Sequence, residues 1–268
     1  MSNPAVKLRS MLALLFAFLI VVVVQMGVFI VEQVGEKSLP DAFLLFALAD
    51  VAIGYAGVRI VWRCLKQAYL SRKWLKHFRA NRHAKLSKRL NAKYRDWGTE
   101  ILVVRDDAFI ALTLGMLRPK IVLSTALFEM FDDKELEAVL LHERYHCRNN
   151  DGPKMFLSAL LADAFGYWPL IHPILRYYRT WKELFADRYA IREMGTELYL
   201  GSVLLKLSKL GHPSRRNEAG VHFADAAMNY RMMQVLEPDR PVKVPTALLR
   251  PLLASCSLLL LLMLGGDS

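Results

Sequence analysis

The chain has 268 residues, 54% of them apolar, and its 36 Lys and Arg against 25 Asp and Glu give a net charge of +11. This composition excludes disordered and collagen-like chains, and the length allows one or two domains. The charge excess is local, because residues 63–97 hold twelve basic residues and one acid, Asp96. Three widely separated cysteines, Cys64, Cys147 and Cys256, predict no disulfide framework.

Two apolar stretches near the N-terminus predict membrane spans. Residues 11–31 contain one polar side chain, Gln25, and at 1.5 Å per residue they would cover the roughly 30 Å of a bilayer's hydrocarbon core. The apolar core of a signal peptide is shorter than this stretch. Residues 42–62 form the second candidate, in which Asp50 is expected to have either a polar partner or a function. We therefore predict a two-span hairpin over residues 1–62.

Charges flanking these stretches predict the topology. Lys7 and Arg9 precede the first span and residues 63–97 follow the second, whereas the connection at 32–41 is acidic. The positive-inside rule therefore places both flanks in the cytoplasm. The basic segment interleaves aromatic residues with cations, as nucleic-acid-binding segments do, but its position after a span favours an amphipathic helix on anionic lipid. Residues 247–268 predict a short third span or an interfacial helix.

Residues 98–246 predict a domain that combines a few strands with several helices. Three stretches rich in Ile, Val and Leu predict strands, the last two as a hairpin, at residues 100–105, 108–117 and 120–124. Asp132 can cap a helix, because Glu135 follows three residues later. Two further predicted helices end at glycines, over residues 178–194 and 197–210. The fold class predicted is an α-helical membrane protein with an α+β domain, mostly helical with a small hairpin or sheet.

A metal-binding motif, HERYH from His142 to His146, lies on the helix that Asp132 begins. The four-residue spacing places both imidazoles on one helix face, where each can give a nitrogen to one metal ion, and Glu143 can hold a water molecule. Two imidazoles and a carboxylate suit Zn²⁺, with a fourth position open for water. We therefore expect one zinc ion per chain and a third protein ligand elsewhere.

Three positions are weighed for that third ligand. A metzincin would have glycine at 149 and histidine at 152, but the chain has Asn149 and Gly152, which excludes that class. His172 precedes a proline within an apolar stretch, where a local structural role is the simpler interpretation. Glu183 is preferred, since Asp187 lies one helical turn later and can accept the distal N–H of a ligating histidine. The competing interpretation of this pair is a solvated acidic helix face.

Residues 155–175 are apolar enough to be mistaken for a further span. A single crossing would leave Glu183 some 30 Å from His142, on the other side of the bilayer, where metal–ligand bonds of about 2 Å cannot form. We therefore expect a buried or re-entrant helical pair, bent near Tyr167-Trp168-Pro169.

Five features follow one another between residues 98 and 195: the run from Ala108 to Ser124, the HERYH motif, Asp151, Trp168-Pro169, and the run ELFAD that begins at Glu183. Together they resemble the membrane metallopeptidases of the beta-lactam sensor/antirepressor family. More distantly, the sequence is similar to the heat-shock and prenyl-protein endopeptidase family, which shares HExxH, a downstream Glu ligand and a following Asp.

The resemblance implies a gluzincin fold and a set of site residues. In that fold His142, His146 and Glu183 hold zinc, Glu143 is the general base, and Asp187 supports a ligating histidine. The reaction implied is hydrolysis of peptide bonds in a protein or peptide at the cytoplasmic face of the inner membrane, with a repressor protein as the substrate.

The sensor-type members continue into an extracellular ligand-binding domain, whereas this sequence stops at Ser268. We therefore expect the activating signal to come from a separate sensor protein or from the membrane. Substrate is expected to add as a strand along the edge of the hairpin, near Ala108, Thr113 and Gly115. An additional oxyanion donor is expected after Gly220, and the candidates are His222, Tyr230 and Arg231.

Two alternative functions stay open at the level of the sequence. A constitutive quality-control protease of the heat-shock type would digest unfolded membrane proteins broadly. A non-enzymatic membrane adaptor would bind lipid or nucleic acid through residues 63–97 and carry a vestigial metal site. The intact Glu143 speaks against the adaptor, because a site that only holds a metal needs no general base.

Overall fold

The computed structural model describes residues 4–35, 43–209, 218–237, 242–245 and 247–264. In chain order, the first elements are α1 (Pro4–Gly35), α2 (Phe43–Ala80), α3 (Ala84–Lys93), a short 3₁₀ turn (Arg95–Trp97), β1 (Ile101–Val104), β2 (Ala111–Leu114) and β3 (Lys120–Ser124). The remaining helices are α4 (Ala126–Met130), α5 (Asp133–Arg148), α6 (Asp151–Phe165), α7 (Ile171–Met194), α8 (Leu198–Lys209), α9 (Glu218–Leu236) and α10 (Leu249–Leu264). The fold is mostly helical with a small sheet, as predicted.

The described residues divide into two compact units. The first unit draws on Met1–Lys66, Leu157–Arg179 and Pro245–Ser268, and the second on Gln67–Phe156 and Thr180–Val244. The chain therefore leaves the second unit within α6 and returns to it within α7. The four segments predicted from the sequence, with limits at 62, 97 and 246, stay a prediction.

Within the described part of the chain, one helix is long and apolar enough to cross a membrane, over Ala5–Val28 of α1. Leu249–Leu261 in α10 forms a shorter apolar helix. The second predicted span, residues 42–62, falls in α2, which continues as one helix to Ala80. Its role as a span, the third span and the cytoplasmic orientation stay predictions.

The apolar stretch at residues 155–175 is broken, as expected from the position of Glu183. Helix α6 ends at Phe165 and α7 begins at Ile171, so the break contains Tyr167-Trp168-Pro169. Gly166 is required at this break, since a Cβ there would lie 2.3 Å from the carbonyl oxygen of Ala162 and 3.0 Å from His172 Nε2. His172 therefore packs beside the break, and among the described residues it does not belong to the group of side chains that could hold a metal ion.

In the first unit, a buried bend is held by polar contacts and aromatic packing. Asp163 forms ion pairs with Arg63 at 2.9 Å and with Arg59 at 3.5 Å. The backbone N–H of Leu170 donates to the Ser255 hydroxyl at 3.1 Å. An edge-to-face contact between the rings of Phe18 and Trp168, with centroids 5.1 Å apart, joins α1 to the same bend.

The second unit is built on a three-stranded sheet in the order β1-β3-β2. β3 pairs in parallel with β1 and antiparallel with β2, so the predicted hairpin is confirmed. Each sheet face has its own apolar cluster: Ile101 and Val103 face α4 and α5, while Leu102 and Val104 pack with Phe78 of α2. β1 is fully buried, because both of its faces are covered.

The two outer strands of this sheet, β1 and β2, differ in what lies against their outer edges. The outer edge of β1 is covered by α3, where the Ser87 hydroxyl accepts the N–H of Val103 at 2.9 Å and Asn91 bonds both backbone groups of Ile101. No strand of the described residues pairs with the outer edge of β2. An uncovered edge offers backbone donors and acceptors to another extended chain.

The structure divides the basic segment between two helices. Its first part continues α2 to Ala80, and α3 places Leu90, with Tyr94 directly after the helix, in the core of the second unit. Its contact with anionic lipid stays a prediction. Apart from Arg63, which pairs with Asp163, the cations of residues 63–97 are exposed. The segment therefore serves as part of the domain's core and as a basic surface.

Helix α5 begins at the capping box predicted from Asp132. The Asp132 carboxylate accepts from the backbone N–H of Glu135 at 2.8 Å, and the Asp132 N–H donates to Glu135 Oε2 at 3.0 Å. α7 ends before Gly195, whose φ of +70° is the left-handed conformation expected at a helix C-terminus. α8 ends at Lys209, and the glycine predicted to end it, Gly211, lies outside the described residues.

Glu135 also ties α5 to α8, and this contact predicts a pH dependence. Its buried carboxylate lies 2.6 Å from Lys206 Nζ and accepts a hydrogen bond from Ser202. Burial alone would raise the pKa of Glu135, but these hydrogen bonds outweigh it and lower the pKa below the ordinary 4.5. The stabilisation is therefore present above about pH 4.5 and lost as the pH falls through the folded-state pKa.

We expect Glu135→Gln to lower the free energy of unfolding by about 1–2 kcal/mol at pH 7, because Lys206 is partly exposed and the pair is screened. Thermal unfolding of the detergent-solubilised chain at pH 7 and pH 4 measures this. The difference from wild type should shrink at pH 4, and an equal difference at both values would contradict the ionic contribution.

Candidate metal centre

Helix α5 presents the two motif histidines from consecutive turns, as the sequence predicts. His142 and His146 are 7% and 6% exposed, and their Nε2 atoms lie 3.1 Å apart. Glu183 comes from α7, and its Oε2 lies 3.3 Å from His142 Nε2 and 3.8 Å from His146 Nε2. The three side chains predicted as metal ligands therefore converge on one point, although they come from two helices separated by α6.

The separations of these three atoms fit a tetrahedral metal ion. Bonds of about 2.0–2.1 Å at tetrahedral angles separate neighbouring ligand atoms by roughly 3.4 Å, and the observed distances of 3.1, 3.3 and 3.8 Å bracket that value. Among the described residues these three form the group of His, Cys, Asp or Glu side chains that could hold a metal ion. Three protein ligands leave the fourth position for water or substrate.

A carboxylate contacts the Nδ1 atom of each motif histidine. Asp187, one turn after Glu183, lies 2.8 Å from His142 Nδ1, which is the supporting contact expected from the sequence. Asp151, at the start of α6, lies 2.7 Å from His146 Nδ1 in the same relation. Both contacts fix the ring orientation and direct Nε2 toward the shared point.

The support from Asp151 was not assigned from the sequence. Asn150 has a φ of +51°, a left-handed conformation that asparagine tolerates better than most residues. This turn separates α5 from α6 and leaves Asp151 in contact with His146 on α5. The Asn-Asn-Asp run after the motif is the sequence signal that could have predicted this contact.

Burial and hydrogen bonding act against each other in this cluster. Burial alone would lower the pKa of His142, but hydrogen bonds with Asp187 and Glu183 raise it to about 9. The pKa of His146 is raised in the same way, where bonds with Asp151 and Glu183 outweigh burial. Burial would raise the pKa of Glu183, but the two histidines hold it well below its usual range. A metal ion must displace the histidine protons, so metal binding weakens as the pH falls.

Arg231, a predicted oxyanion donor, makes a different contact. Its Nε and Nη2 lie 2.6 and 2.8 Å from the two carboxylate oxygens of Asp187, and its Nη1 lies 3.9 Å from Glu183 Oε2. Burial would raise the pKa of Asp187, but Arg231 and His142 lower it. The guanidinium thus neutralises a buried carboxylate that supports a ligand.

Of the other two oxyanion candidates, Tyr230 has no contact with the cluster among the described residues. Tyr230 is half-buried on α9. His222 belongs to the same helix, but its side chain lies outside what the structure describes.

The three residues expected at the substrate edge take separate positions. Thr113 lies within β2, whereas Ala108 is exposed before the strand and donates its N–H to the Asp106 carboxylate at 2.9 Å. Gly115 follows β2 with a φ of +110°, and a Cβ there would lie 2.7 Å from the carbonyl oxygen of Arg118. Gly115 therefore forms the turn between β2 and β3, which no residue with a side chain would enter without strain.

Comparison with known proteins agrees with this geometry. The family described as BlaR1 peptidase M56 matches residues 31–235, most of the chain. The chain belongs to this family. As a member it is a metallopeptidase-family protein, and its apolar α1 agrees with a membrane protein.

A curated relative shares part of this sequence. The chain is 31% identical over 101 residues to the regulatory protein BlaR1 of Bacillus licheniformis. The match covers 37% of this chain and 17% of the relative, so most of the relative's length has no counterpart in the alignment.

We expect Asp187→Asn and Asp151→Asn each to weaken metal binding by about 10- to 100-fold, because each removes the charge that orients a histidine. Competition with a chromogenic chelator, with Zn²⁺ as the titrant, measures the affinity. Asp133→Asn, in the exposed first turn of α5, is the control. An affinity for Asp187→Asn equal to that of the control would contradict the supporting role.

Proposed function

We propose that the chain is a zinc-dependent membrane endopeptidase that hydrolyses peptide bonds of a protein substrate at the cytoplasmic face. The observation that carries this proposal is the convergence of His142, His146 and Glu183, with Glu143 buried beside them on the same helix as the histidines. The metallopeptidase family supports a metal site, and two imidazoles with one carboxylate are the donor set of catalytic zinc.

Each site residue has a separate role in the proposed hydrolysis. A bound zinc ion would supply Lewis acidity, lowering the pKa of water and polarising the scissile carbonyl group. The Glu143 carboxylate accepts the proton of the attacking water and passes it to the leaving amine. Asp187 and Asp151 keep His142 and His146 oriented while this charge moves.

Strand β2 is the proposed place for the substrate backbone. A peptide in extended conformation adds to a sheet edge by main-chain hydrogen bonds, which accommodates many side-chain sequences. The β1 edge is already covered by α3, so β2 is the edge available for this addition in the described part of the second unit. Thr113 in β2 contacts Glu143, which puts this edge beside the proposed base.

Membrane attachment and orientation rest on the first unit and the charge pattern. Ala5–Val28 is long and apolar enough to span the bilayer, and the cations of residues 63–97 follow the second apolar stretch. Basic residues are retained on the cytoplasmic side of membrane proteins. The second unit, which contains the metal cluster, is therefore proposed to work in the cytoplasm, on the inner membrane.

A regulatory role is favoured over quality control. The relative is described as a regulatory protein, and this chain shares its matched stretch. We infer that the substrate is a repressor-like protein, cleaved in response to a separate sensor protein or a membrane signal. Quality control of membrane proteins is the second candidate. Strand addition at β2 would bind a substrate mainly through its main chain, which suits a protease that cleaves many different proteins.

Glu143→Gln tests the reaction directly. We expect the variant to keep zinc with wild-type stoichiometry and to lose at least about 100-fold in turnover, since a general base contributes 10²- to 10⁴-fold. Zinc is measured by atomic absorption and turnover by cleavage of a substrate that wild type cleaves. Glu137→Gln on the same helix is the matched control. Equal turnover by the purified Glu143→Gln protein and wild type would refute the assignment.

Comparing the membrane-proximal proteins of cells that carry wild type or Glu143→Gln separates the candidate roles. A signalling protease should convert one protein to a defined fragment in wild-type cells alone. A quality-control protease should lower many unfolded membrane proteins together. Identical protein patterns in the two strains, with zinc bound to both proteins, would favour the adaptor.

A further inference from the structure

Thr113 connects the open edge of the sheet to the proposed base. Its hydroxyl lies 3.0 Å from Glu143 Oε2 and 3.1 Å from the carbonyl oxygen of the same residue. The Cys147 thiol, one turn further along α5, lies 3.5 Å from the same hydroxyl. Among the hydrogen bonds of the described residues, Thr113 is the one side chain that contacts the Glu143 carboxylate.

The position of Thr113 in its strand makes a polar residue unexpected there. Alternation in β2 sends Leu112 and Leu114 to the cluster around Phe78, and it turns Ala111 and Thr113 to the face that meets α5. A valine would fill the volume of Thr113 without a hydroxyl group. The hydroxyl therefore contributes hydrogen bonding. It carries a single proton, and the two oxygen atoms within reach of that proton both belong to Glu143, the carboxylate Oε2 being the nearer.

A second close approach fixes the end of the same strand. A Cβ at Gly152 would lie 2.9 Å from the carbonyl oxygen of Gly115, so glycine at 152 lets the β2 turn reach the start of α6. Asp151, which holds His146, is the neighbouring residue. β2 and the turn after it thus approach the site at two points: Thr113 of β2 contacts Glu143 of α5, and Gly115 of the turn lies against Gly152 of α6, next to Asp151.

We propose that Thr113 is a positioning residue that holds the Glu143 carboxylate in one orientation and ties that orientation to strand β2. This inference rests on the proposed peptidase function and deepens it. A glutamate side chain has three rotatable torsions, and a fixed hydroxyl donor removes alternatives for its carboxylate. A substrate strand that pairs with β2 would then lie at a fixed position relative to the Glu143 carboxylate, because Thr113 is part of β2 and also contacts that carboxylate.

Loss of the Thr113–Glu143 contact is expected to lower the turnover rate. Glu143 without its donor still lies beside the metal cluster, but its carboxylate can rotate, and misplacement by about 1 Å can cost up to 100-fold in rate. The backbone edge of β2 is unchanged by a side-chain substitution at Thr113, so substrate binding is preserved. A positioning role therefore predicts an effect on kcat with little effect on KM.

The test compares Thr113→Val with Thr113→Ser in the full-length, zinc-loaded chain. Cleavage of fluorescein-labelled casein gives kcat and KM, and zinc content is measured on the same samples. Thr113→Val should lower kcat by about 10- to 100-fold, with KM within about threefold of wild type and zinc unchanged. Thr113→Ser, which keeps the donor, should stay within about threefold of wild-type kcat. Thr99→Val is the matched control, because Thr99 is also partly buried but its hydroxyl donates to the Trp97 carbonyl, before β1. Wild-type kcat in Thr113→Val, or a serine variant as slow as the valine variant, would overturn the proposal.

A double-mutant cycle keeps the test independent of activity. The thermal midpoint of the chain is measured for wild type, Thr113→Val, Glu143→Ala and the double variant. The shift caused by Thr113→Val should be at most half as large in the Glu143→Ala background, because the hydroxyl–carboxylate contact is already lost there and only the contact with the main-chain carbonyl of residue 143 remains. Additive shifts would overturn the proposal. Wild type that cleaves casein no faster than Glu143→Gln would count against the proposed function, and the cycle would still decide the positioning role.

Discussion

The structure depends on bringing a carboxylate of α7 to the two imidazoles of α5. His142 and His146 are neighbours by helix geometry, but Glu183 reaches them only because the chain leaves the second unit within α6 and returns to it within α7. The break at residues 166–170 permits this return. An unbroken apolar helix at that position would carry the carboxylate away from the histidines by the length of the helix.

Burying this site requires compensation for several negative charges. Glu143, Glu183, Asp151 and Asp187 surround two imidazoles, and an isolated carboxylate in a low-dielectric interior is costly. Each carboxylate has a partner: the histidines, the Thr113 hydroxyl or the guanidinium of Arg231. Arg231 lies 44 residues from Asp187 along the chain, so the charge balance of the site is a property of the whole second unit.

The small sheet of the second unit has two edges with different surroundings. Helix α3 closes the β1 edge with Ser87 and Asn91, whereas no strand in the described part of the chain pairs with the outer edge of β2, beside Glu143. The basic segment that supplies α3 thus has two roles, since its apolar residues complete the core and its cations stay at the surface. An asymmetric sheet with one covered and one open edge specifies where an extended peptide can add.

The sequence by itself determined the features that depend on near neighbours along the chain. The spacing of His142 and His146 placed both rings on one helix face, and the Asp132 box set the start of that helix, because helical geometry fixes contacts three and four residues apart. Glu183 could be chosen by its spacing to Asp187 and by the family resemblance. Tertiary structure alone decided that Arg231 holds Asp187 and that Thr113 contacts Glu143. Those contacts join different elements, and which elements meet is set by the packing of the unit as a whole.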